Sequence, residues 1–383
     1  MHSLHRTGTR IFRLFGIDVN LHISWWFIFI FLAWSLATAY FPQAYPNQTT
    51  ALYWVMGIIA ALFLFASVLL HEFSHSLVAR ARNIKVESIT LFFFGGVAGI
   101  EREDLKPSHE FQMAIAGPLF SLVLSGFFFL LFRFTPPGVI QAITQYLYQL
   151  NFVLALFNLV PAFPLDGGRA FRAILHAYYH DILKATRIAS AGGKLFAVIL
   201  IVLGIFGMTT GAGNGLWFIL LGVFLYFIAK VSYEQIVIKE TLSTVPVLSL
   251  LQKQKPLPAS MKFKDFIAVY GSKDQEVYIV QGTHFQGLFD FKQARTISPA
   301  MHDVLTLQQV SVPLSQMRCV AKNDSAYTVF RRCTEQNLDN IPVVEKGKIL
   351  GVVSQRAVLR HLAWSGLGKT EKEKNIKRIK KNK

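Results

Sequence analysis

The sequence predicts a polytopic α-helical membrane domain of about six spans, followed by a small α/β cytosolic domain. Hydrophobic residues make up 52% of the 383-residue chain and charged residues only 16%, whereas a soluble domain usually carries about 25% charged residues. The deficit of charge is uneven, because long apolar runs fill residues 21–235 and an ordinary soluble composition returns after residue 252. Lys and Arg also concentrate in alternate loops between the apolar runs, as they do in membrane proteins.

Each predicted span is an apolar run close to the length that a bilayer requires, about 20 residues. The six runs lie at about 22–41, 52–80, 112–134, 139–160, 195–210 and 215–235. The first run follows several arginines and is not closed by a small-residue cleavage site, so we expect a signal anchor rather than a cleaved signal peptide. Pro161 and Pro164 are expected to break the fourth helix at its end.

The net charge of +17 fits either a nucleic-acid surface or the cytoplasmic loops of a membrane protein. The positions of the charges favour the second interpretation, the cytoplasmic loops of a membrane protein. Segments 41–51 and 208–215 have no Lys or Arg, and 133–138 has only Arg133, whereas the intervening loops are basic. We therefore expect an integral protein of the prokaryotic cell (inner) membrane, with both termini cytoplasmic, the lipid bilayer as a partner and no nucleic-acid partner.

The C-terminal part shows a pattern that occurs twice. A predicted helix at Ala326–Gln336 precedes two apolar runs, Asn340–Glu345 and Ile349–Val353, joined by a turn with Gly347, which predicts a β-hairpin. A weaker copy starts with a predicted helix at Phe263–Tyr270. Two such units predict a tandem that packs on itself. The expected domains are a membrane-embedded domain at 1–245, the tandem at 246–365 and a basic, disordered tail at 366–383.

The strongest chemical signal is His71-Glu72-Phe73-Ser74-His75, at the end of an apolar run. Histidines four residues apart lie on one face of a helix, so both imidazoles can bind one zinc ion. Glu72 between them is placed to act as a general base on water. The alternative is a pair of histidines at the lipid interface, but ionisable groups are costly in a membrane, which favours a functional site.

A catalytic zinc needs a third protein ligand and an open position. Asp166 follows the fourth apolar run, in the segment Asn158-Leu-Val-Pro-Ala-Phe-Pro-Leu-Asp-Gly-Gly168. Two spans separate it from His71, so both helices run in the same direction and their ends can meet. Without this context, Asp166 would be interpreted as a turn or helix-capping residue.

The combination of HEFSH and NLVPAFPLDGG, in this order and with two spans between them, resembles the site-2 protease family of intramembrane metalloproteases. Phe94–Ala98 and Ala116–Pro118 also resemble that family, and the resemblance covers about residues 20–235. It implies an intramembrane zinc metalloprotease that hydrolyses peptide bonds of membrane-spanning or membrane-tethered protein substrates. The residues that it implies are the zinc ligands His71, His75 and Asp166, and the base Glu72.

Two further roles follow from the same resemblance, and each has an alternative. Asn158 would lie near the scissile carbonyl and donate a hydrogen bond to the developing oxyanion, but a buried Asn can also bridge helix backbones. The Phe92–Ala98 segment would pair with an extended substrate as a strand, but a loop that only shapes the site fits the sequence equally well.

The C-terminal tandem resembles CBS modules, which implies a regulatory or oligomerising domain, a homodimer, and an adenosine nucleotide as ligand. In such modules a Ser or Thr and an Asp three residues later hold the ribose. Here Ser354 is followed by Ala357, and the corresponding positions of the first unit are Asp290 and Gln293. Nucleotide binding is therefore doubtful, and the alternative is a dimerising or substrate-positioning module without a ligand.

Three other functions compete with the protease interpretation. A metal-binding membrane transporter would also place His and Asp in a membrane, but it does not need a Glu between two His. A catalytically inactive regulator would lack part of the motif, and here nothing is missing. A membrane-anchored zinc protease with its active site outside the membrane would have its third ligand in a soluble segment rather than at the end of a span.

Overall fold

The computed structural model describes residues 8–92, 95–100, 105–210, 215–271, 275–294 and 297–364. The chain divides into two compact units, Met1–Glu234 and Gln235–Lys383. Among the described residues, six helices are long and apolar enough to cross a membrane, which confirms the predicted number. These are α1 Ser24–Ala44, α2 Thr50–Ala81, α3 Pro107–Phe134, α4 Val139–Leu159, α6 Ile182–Thr209 and α7 Gly215–Ser243. Between α4 and α6 lies the shorter, amphipathic helix α5, Asp166–Tyr179.

The fifth span begins earlier than its hydropathy indicates. The apolar run was expected to start at 195, but α6 begins at Ile182, after Asp181 caps its first turn through a hydrogen bond from the Lys184 amide at 2.9 Å. The helix therefore includes charged residues that the sequence assigned to a loop. Hydropathy marks the part of a helix that suits lipid, whereas caps and backbone hydrogen bonds set where the helix begins.

A four-stranded sheet, which the sequence analysis did not predict, packs against the end of α2. Its order is β1-β2-β3-β4, and β2 and β3 pair in parallel. The strands are β1 Thr9–Leu14, β2 Ile17–Leu21, β3 Val86–Phe92 and β4 Gly95–Ile100. Ile17, Val19 and Ile89 are buried in one cluster with Phe73 of α2. The sheet is therefore built onto the helix that carries the HEFSH motif.

The helices of the first unit approach closely through small residues. A Cβ at Gly57 of α2 would lie 2.6 Å from the carbonyl oxygen of Ala33 in α1. Such contacts are typical of membrane helices. Because lipid is as apolar as the side chains, the helices associate through close van der Waals packing rather than through the hydrophobic effect. Met56 and Ala60 of α2 share a buried cluster with Ala33 of α1 and Leu147 of α4. The packing thus fixes α2 between its neighbours.

The second unit contains two small sheets, each with helices. The first has the order β5-β6-β7-β8 and the second β11-β10-β9. The strands are β5 Leu257–Pro258, β6 Val277–Gln281, β7 Gln286–Asp290, β8 Val312–Pro313, β9 Val320–Ala321, β10 Asn340–Glu345 and β11 Lys348–Ser354. The helices are α8 Phe263–Tyr270, α9 Phe291–Ala294, α10 Leu307–Val310, α11 Ala326–Gln336 and α12 Gln355–Leu362. The predicted hairpins are present as β6–β7 and β10–β11.

Both cysteines of the second unit, Cys319 and Cys333, are free thiols. Cys333 is buried in α11 among apolar side chains, and this burial raises the pKa of its thiol to about 11. It acts as a small hydrophobic core residue.

Candidate active site

Helix α2 presents two buried imidazoles to the interior of the first unit. His71 is 4% and His75 6% exposed, and their Nε2 atoms lie 3.2 Å apart. The helix is regular from its N-cap Thr49 onward, so residues one turn apart point the same way. Because both Nε2 atoms point to the same position, the two imidazoles can provide two of the ligands of one metal ion.

Asp166 reaches this site from the first residue of α5. The chain turns sharply between α4 and α5, and the two glycines after Asp166 make the turn compact. A Cβ at Gly167 would overlap the carbonyl group of Leu159, and one at Gly168 would overlap the backbone at Phe163. Without a Cβ, these residues let α5 start directly against the end of α4. The Oδ2 atom of Asp166 then lies 3.1 Å from His71 Nε2 and 3.1 Å from His75 Nε2.

The three donor atoms fit a zinc ion. Their separations are 3.1, 3.1 and 3.2 Å, and tetrahedral ligands at about 2.0–2.1 Å from zinc lie about 3.3–3.4 Å from one another. Two imidazoles and one carboxylate, with a fourth position left for water, are a donor set of catalytic zinc sites. Within the described ranges, this is the one group of three or more His, Cys, Asp or Glu side chains arranged for a metal.

Positive charge around Asp166 favours its carboxylate form. Burial raises the pKa of Asp166, but hydrogen bonds from His71 and His75 and the charge of Arg169 outweigh it and hold the pKa below its ordinary value. The Arg169 Nη1 atom lies 3.8 Å from Asp166 Oδ1. A cation at the three donor atoms would take the place of the imidazole protons. The site is therefore built to hold positive charge.

Glu72 lies beside the histidines, next to the edge of the sheet. A Cβ at Gly96 in β4 would lie 3.0 Å from the Cδ atom of Glu72. Strand β4 pairs with β3 on one side, and it ends the sheet on the other. The absence of a side chain at Gly96 thus lets an edge strand pass directly along the carboxylate of Glu72.

Asn158 makes a hydrogen bond within its own helix. Its Nδ2 atom donates to the carbonyl oxygen of Leu154 at 3.0 Å. This bond does not bridge two helices, and the expected position near a scissile carbonyl stays a prediction. A different Asn of α4 makes the contact between helices: Asn151, fully buried, donates to Ser67 of α2 at 3.2 Å.

Two residues without a predicted role, Met113 and Ser121, lie against the imidazoles, together with Gly117 of the Ala116–Pro118 segment. His71 Nδ1 is 2.8 Å from Ser121 Oγ, and His75 Nδ1 is 2.5 Å from the carbonyl oxygen of Met113. Gly117 lies between these two contacts on the same face of α3. Their spacing of four residues on the helix after the HEFSH motif is the signal that could have identified them.

The chain is similar to known zinc metalloproteases and, in its C-terminal part, to a CBS domain. The family model for peptidase family M50 matches residues 59–138 and 137–203, and a CBS domain model matches residues 310–363. A Synechocystis protein named as a zinc metalloprotease is 33% identical over 366 residues, which cover 93% of this chain and 96% of that protein. The Mycobacterium tuberculosis protein Rip3, also named as a zinc metalloprotease, is 30% identical, with 91% of each chain covered. The solved site-2 protease from Methanocaldococcus jannaschii is 32% identical, with a TM-score of 0.41, and the match covers 58% of this chain and 94% of that one.

Proposed function

This chain belongs to peptidase family M50, and on that premise we propose that it is an intramembrane zinc metalloprotease that cleaves membrane-spanning or membrane-tethered proteins. The observation that carries the proposal is the buried cluster of His71, His75 and Asp166 with Glu72 beside it. The histidines and Glu72 lie on a helix that is long and apolar enough to cross a membrane. Ionisable groups at such a position destabilise the protein in the membrane, so their presence there indicates a function.

His71, His75 and Asp166 would hold the zinc ion through Nε2, Nε2 and Oδ2. When bound, zinc supplies a Lewis acid that polarises a peptide carbonyl and makes water acidic enough to attack at neutral pH. The triangle of donor atoms supports this assignment, because its edges lie within about 0.3 Å of the spacing that tetrahedral zinc requires.

Glu72 is the proposed general base and acid. It accepts a proton from the attacking water while the water oxygen bonds to the carbonyl carbon of the substrate. It then delivers that proton to the nitrogen as the C–N bond breaks, leaving a carboxylic acid and an amine, and the acid afterwards passes its proton to the amine or to water. In this scheme Asn158 would donate a hydrogen bond to the oxyanion, after it gives up its bond to Leu154.

The substrate is proposed to bind as an added strand beside β4. A helical substrate must unwind to expose a peptide bond, and an edge strand offers unpaired N–H and C=O groups to an extended chain. The position of Gly96 beside Glu72 supports the strand interpretation of Phe92–Ala98 over a loop that only shapes the site. Phe94, which is part of that segment, lies outside the described residues.

The second unit is proposed to regulate activity or self-association without binding a nucleotide tightly. Asp290 Oδ1 accepts a hydrogen bond from the Lys292 amide at 2.9 Å, and Ser354 Oγ accepts one from the Ala357 amide at 3.1 Å. Both side chains therefore cap helices, and neither unit has a carboxylate at the position three residues later, which is Gln293 or Ala357. A homodimer formed through this unit is part of the same proposal.

The test of the function uses the purified full-length chain in lipid vesicles with a membrane-tethered peptide substrate. Glu72→Gln is expected to lower the cleavage rate by about 10²–10⁴-fold, the usual contribution of a general base, and to keep about one zinc per chain. Glu87→Gln, an exposed carboxylate of β3, is the matched control and should cleave normally. His71→Ala/His75→Ala should lose zinc and cleavage together. Cleavage by Glu72→Gln at the normal rate would contradict the proposal, and zinc flux retained by that variant would favour a transporter.

A further inference from the structure

The third proposed ligand, Asp166, is held differently from the two histidines. His71 and His75 lie within the 32-residue helix α2, whereas the segment 160–165, which leads from α4 to Asp166, is not helical. A metal site requires its donor atoms to stay within about 0.5 Å of their places, and a ligand that follows a non-helical segment meets this requirement only where the surrounding structure fixes the backbone. The contacts of segment 160–165 therefore decide where Asp166 lies.

The backbone of Phe163, three residues before Asp166, lies directly on α6. Its N–H group donates to the carbonyl oxygen of Ala189 at 3.4 Å. One turn further along α6, a Cβ at Gly193 would lie 2.0 Å from the carbonyl oxygen of Phe163. Gly193 is buried, and Phe163 is 6% exposed. Both polar groups of one residue thus meet α6, at positions four residues apart.

The same backbone also meets α5. A Cβ at Gly168 would lie 2.1 Å from the nitrogen of Phe163 and 2.4 Å from its Cα atom. Two helices therefore approach the Phe163 backbone with no side chain between them, which only glycine allows. Because Gly168 is two residues after Asp166, the contact that fixes Phe163 against α6 also fixes the start of α5.

We propose that Gly193 is a positioning residue for Asp166, because it admits the Phe163 carbonyl group against α6 and so sets where α5 begins. This inference rests on the zinc site of the proposed function. Alanine at position 193 forces the Phe163 carbonyl oxygen to retreat by more than about 1 Å to reach an ordinary contact distance. That displacement exceeds the tolerance of a metal site. Helix α6 provides no ligand, yet it controls zinc affinity through the backbone of Phe163.

A second glycine of α6 separates this role from helix packing in general. A Cβ at Gly204 would lie 2.6 Å from the carbonyl oxygen of Gly215 in α7. Gly204 is buried in the same way as Gly193, but it contacts α7 rather than the segment before Asp166. Gly204→Ala therefore produces a backbone clash on the same helix without pressing on that segment.

Zinc affinity of the purified full-length chain, measured by competition with a chelator, tests the proposal together with thermal unfolding. Gly193→Ala and Gly204→Ala are both expected to unfold at a lower temperature than the native chain. Gly193→Ala is expected to bind zinc about ten- to hundredfold more weakly than Gly204→Ala, the range found when a group that orients a metal ligand is lost. Equal zinc affinities of the two variants would overturn the proposal.

The absorption spectrum of Co²⁺, bound in place of zinc, reports the geometry of the site. Co²⁺ accepts the same nitrogen and oxygen ligands as zinc, and four-coordinate Co²⁺ absorbs visible light far more strongly than six-coordinate Co²⁺. The native chain and Gly204→Ala should show the strong bands. Gly193→Ala should show weaker bands, because Asp166 is displaced from the ion. A native spectrum in Gly193→Ala contradicts a positioning role.

If Gly193→Ala does not fold, Gly192→Val decides the question. Gly192 is only half-buried, and a Cβ there would lie 3.2 Å from the carbonyl oxygen of Pro161, so a larger side chain presses on the same segment from its edge. This variant should weaken zinc binding, whereas Gly126→Val should not, since a Cβ at Gly126 has nothing within 4 Å. The proposal is wrong if Gly192→Val binds zinc as tightly as Gly126→Val. A native chain that binds no zinc would instead overturn the proposed function.

Discussion

Glu110, in the first turn of α3, forms a buried ion pair with Arg172 of α5. The Arg172 Nε atom donates to Glu110 Oε1 at 2.9 Å, and the two side chains are only 13% and 3% exposed. The guanidinium of Arg172 also lies 4.8 Å from the centre of the Phe163 ring, in the turn that precedes Asp166. The pair therefore ties the helix that begins with Asp166 to the helix that contacts both histidines.

Breaking this pair is expected to destabilise the fold and to weaken the metal site. Arg172→Ala leaves the Glu110 carboxylate buried without its partner, which costs about 3–5 kcal/mol in comparable sites. Because α5 also loses its anchor to α3, Asp166 should be held less firmly and zinc affinity should fall. Thermal unfolding and zinc titration of the purified chain measure the two effects.

The exposed pair Lys85–Glu87 is the control for that prediction. Its side chains are 67% and 59% exposed, with the charged atoms 3.2 Å apart. Lys85→Ala should therefore change stability by at most about 1 kcal/mol and leave zinc affinity unchanged. Equal effects of Arg172→Ala and Lys85→Ala would show that the buried pair does not anchor α5.

The distribution of Lys and Arg predicts the orientation of the spans. Single cysteines are placed at Gln43, Lys106 and Lys184, which are exposed in the structure, in a chain that carries Cys319→Ser and Cys333→Ser. A membrane-impermeant maleimide should label Gln43→Cys, at the end of the first span, in intact cells, because segment 41–51 contains no Lys or Arg. Lys106→Cys and Lys184→Cys should react only after the membrane is permeabilised. Labelling of either in intact cells would contradict cytoplasmic termini.

The sequence predicted the parts of the site that depend on a local motif or on the number of spans between two motifs. His71 and Asp166 were expected to meet because two spans separate them, and their Nε2 and Oδ2 atoms are 3.1 Å apart. The parallel pairing of β2 with β3 was missed because α1 and α2 separate the two strands in the sequence, so no local pattern indicates that they pair. Ser121 was missed because a small polar residue in an apolar helix resembles an ordinary packing position.

The second unit is expected to affect activity or self-association rather than chemistry. All three proposed zinc ligands lie in the first unit. In the described part of the second unit, no group of three metal-binding side chains is present. A chain that ends at residue 245 should therefore keep its zinc but differ from the full-length chain in cleavage rate or in the dependence of that rate on protein concentration. Loss of zinc on truncation would mean that the second unit supports the fold of the first.

ATP and AMP should not change cleavage by the full-length chain, because Ser354 caps α12 and the position that would hold a ribose carboxylate is Ala357. Ala357→Asp is the matched variant that supplies this carboxylate. It is expected to strengthen AMP binding, since a charge-assisted hydrogen bond contributes about 1.5–3 kcal/mol. Calorimetry with the native chain and this variant measures the difference. Tight AMP binding by the native chain would contradict this prediction. In the truncation experiment, equal cleavage by the full-length and shortened chains at every protein concentration would rule out regulation by the second unit.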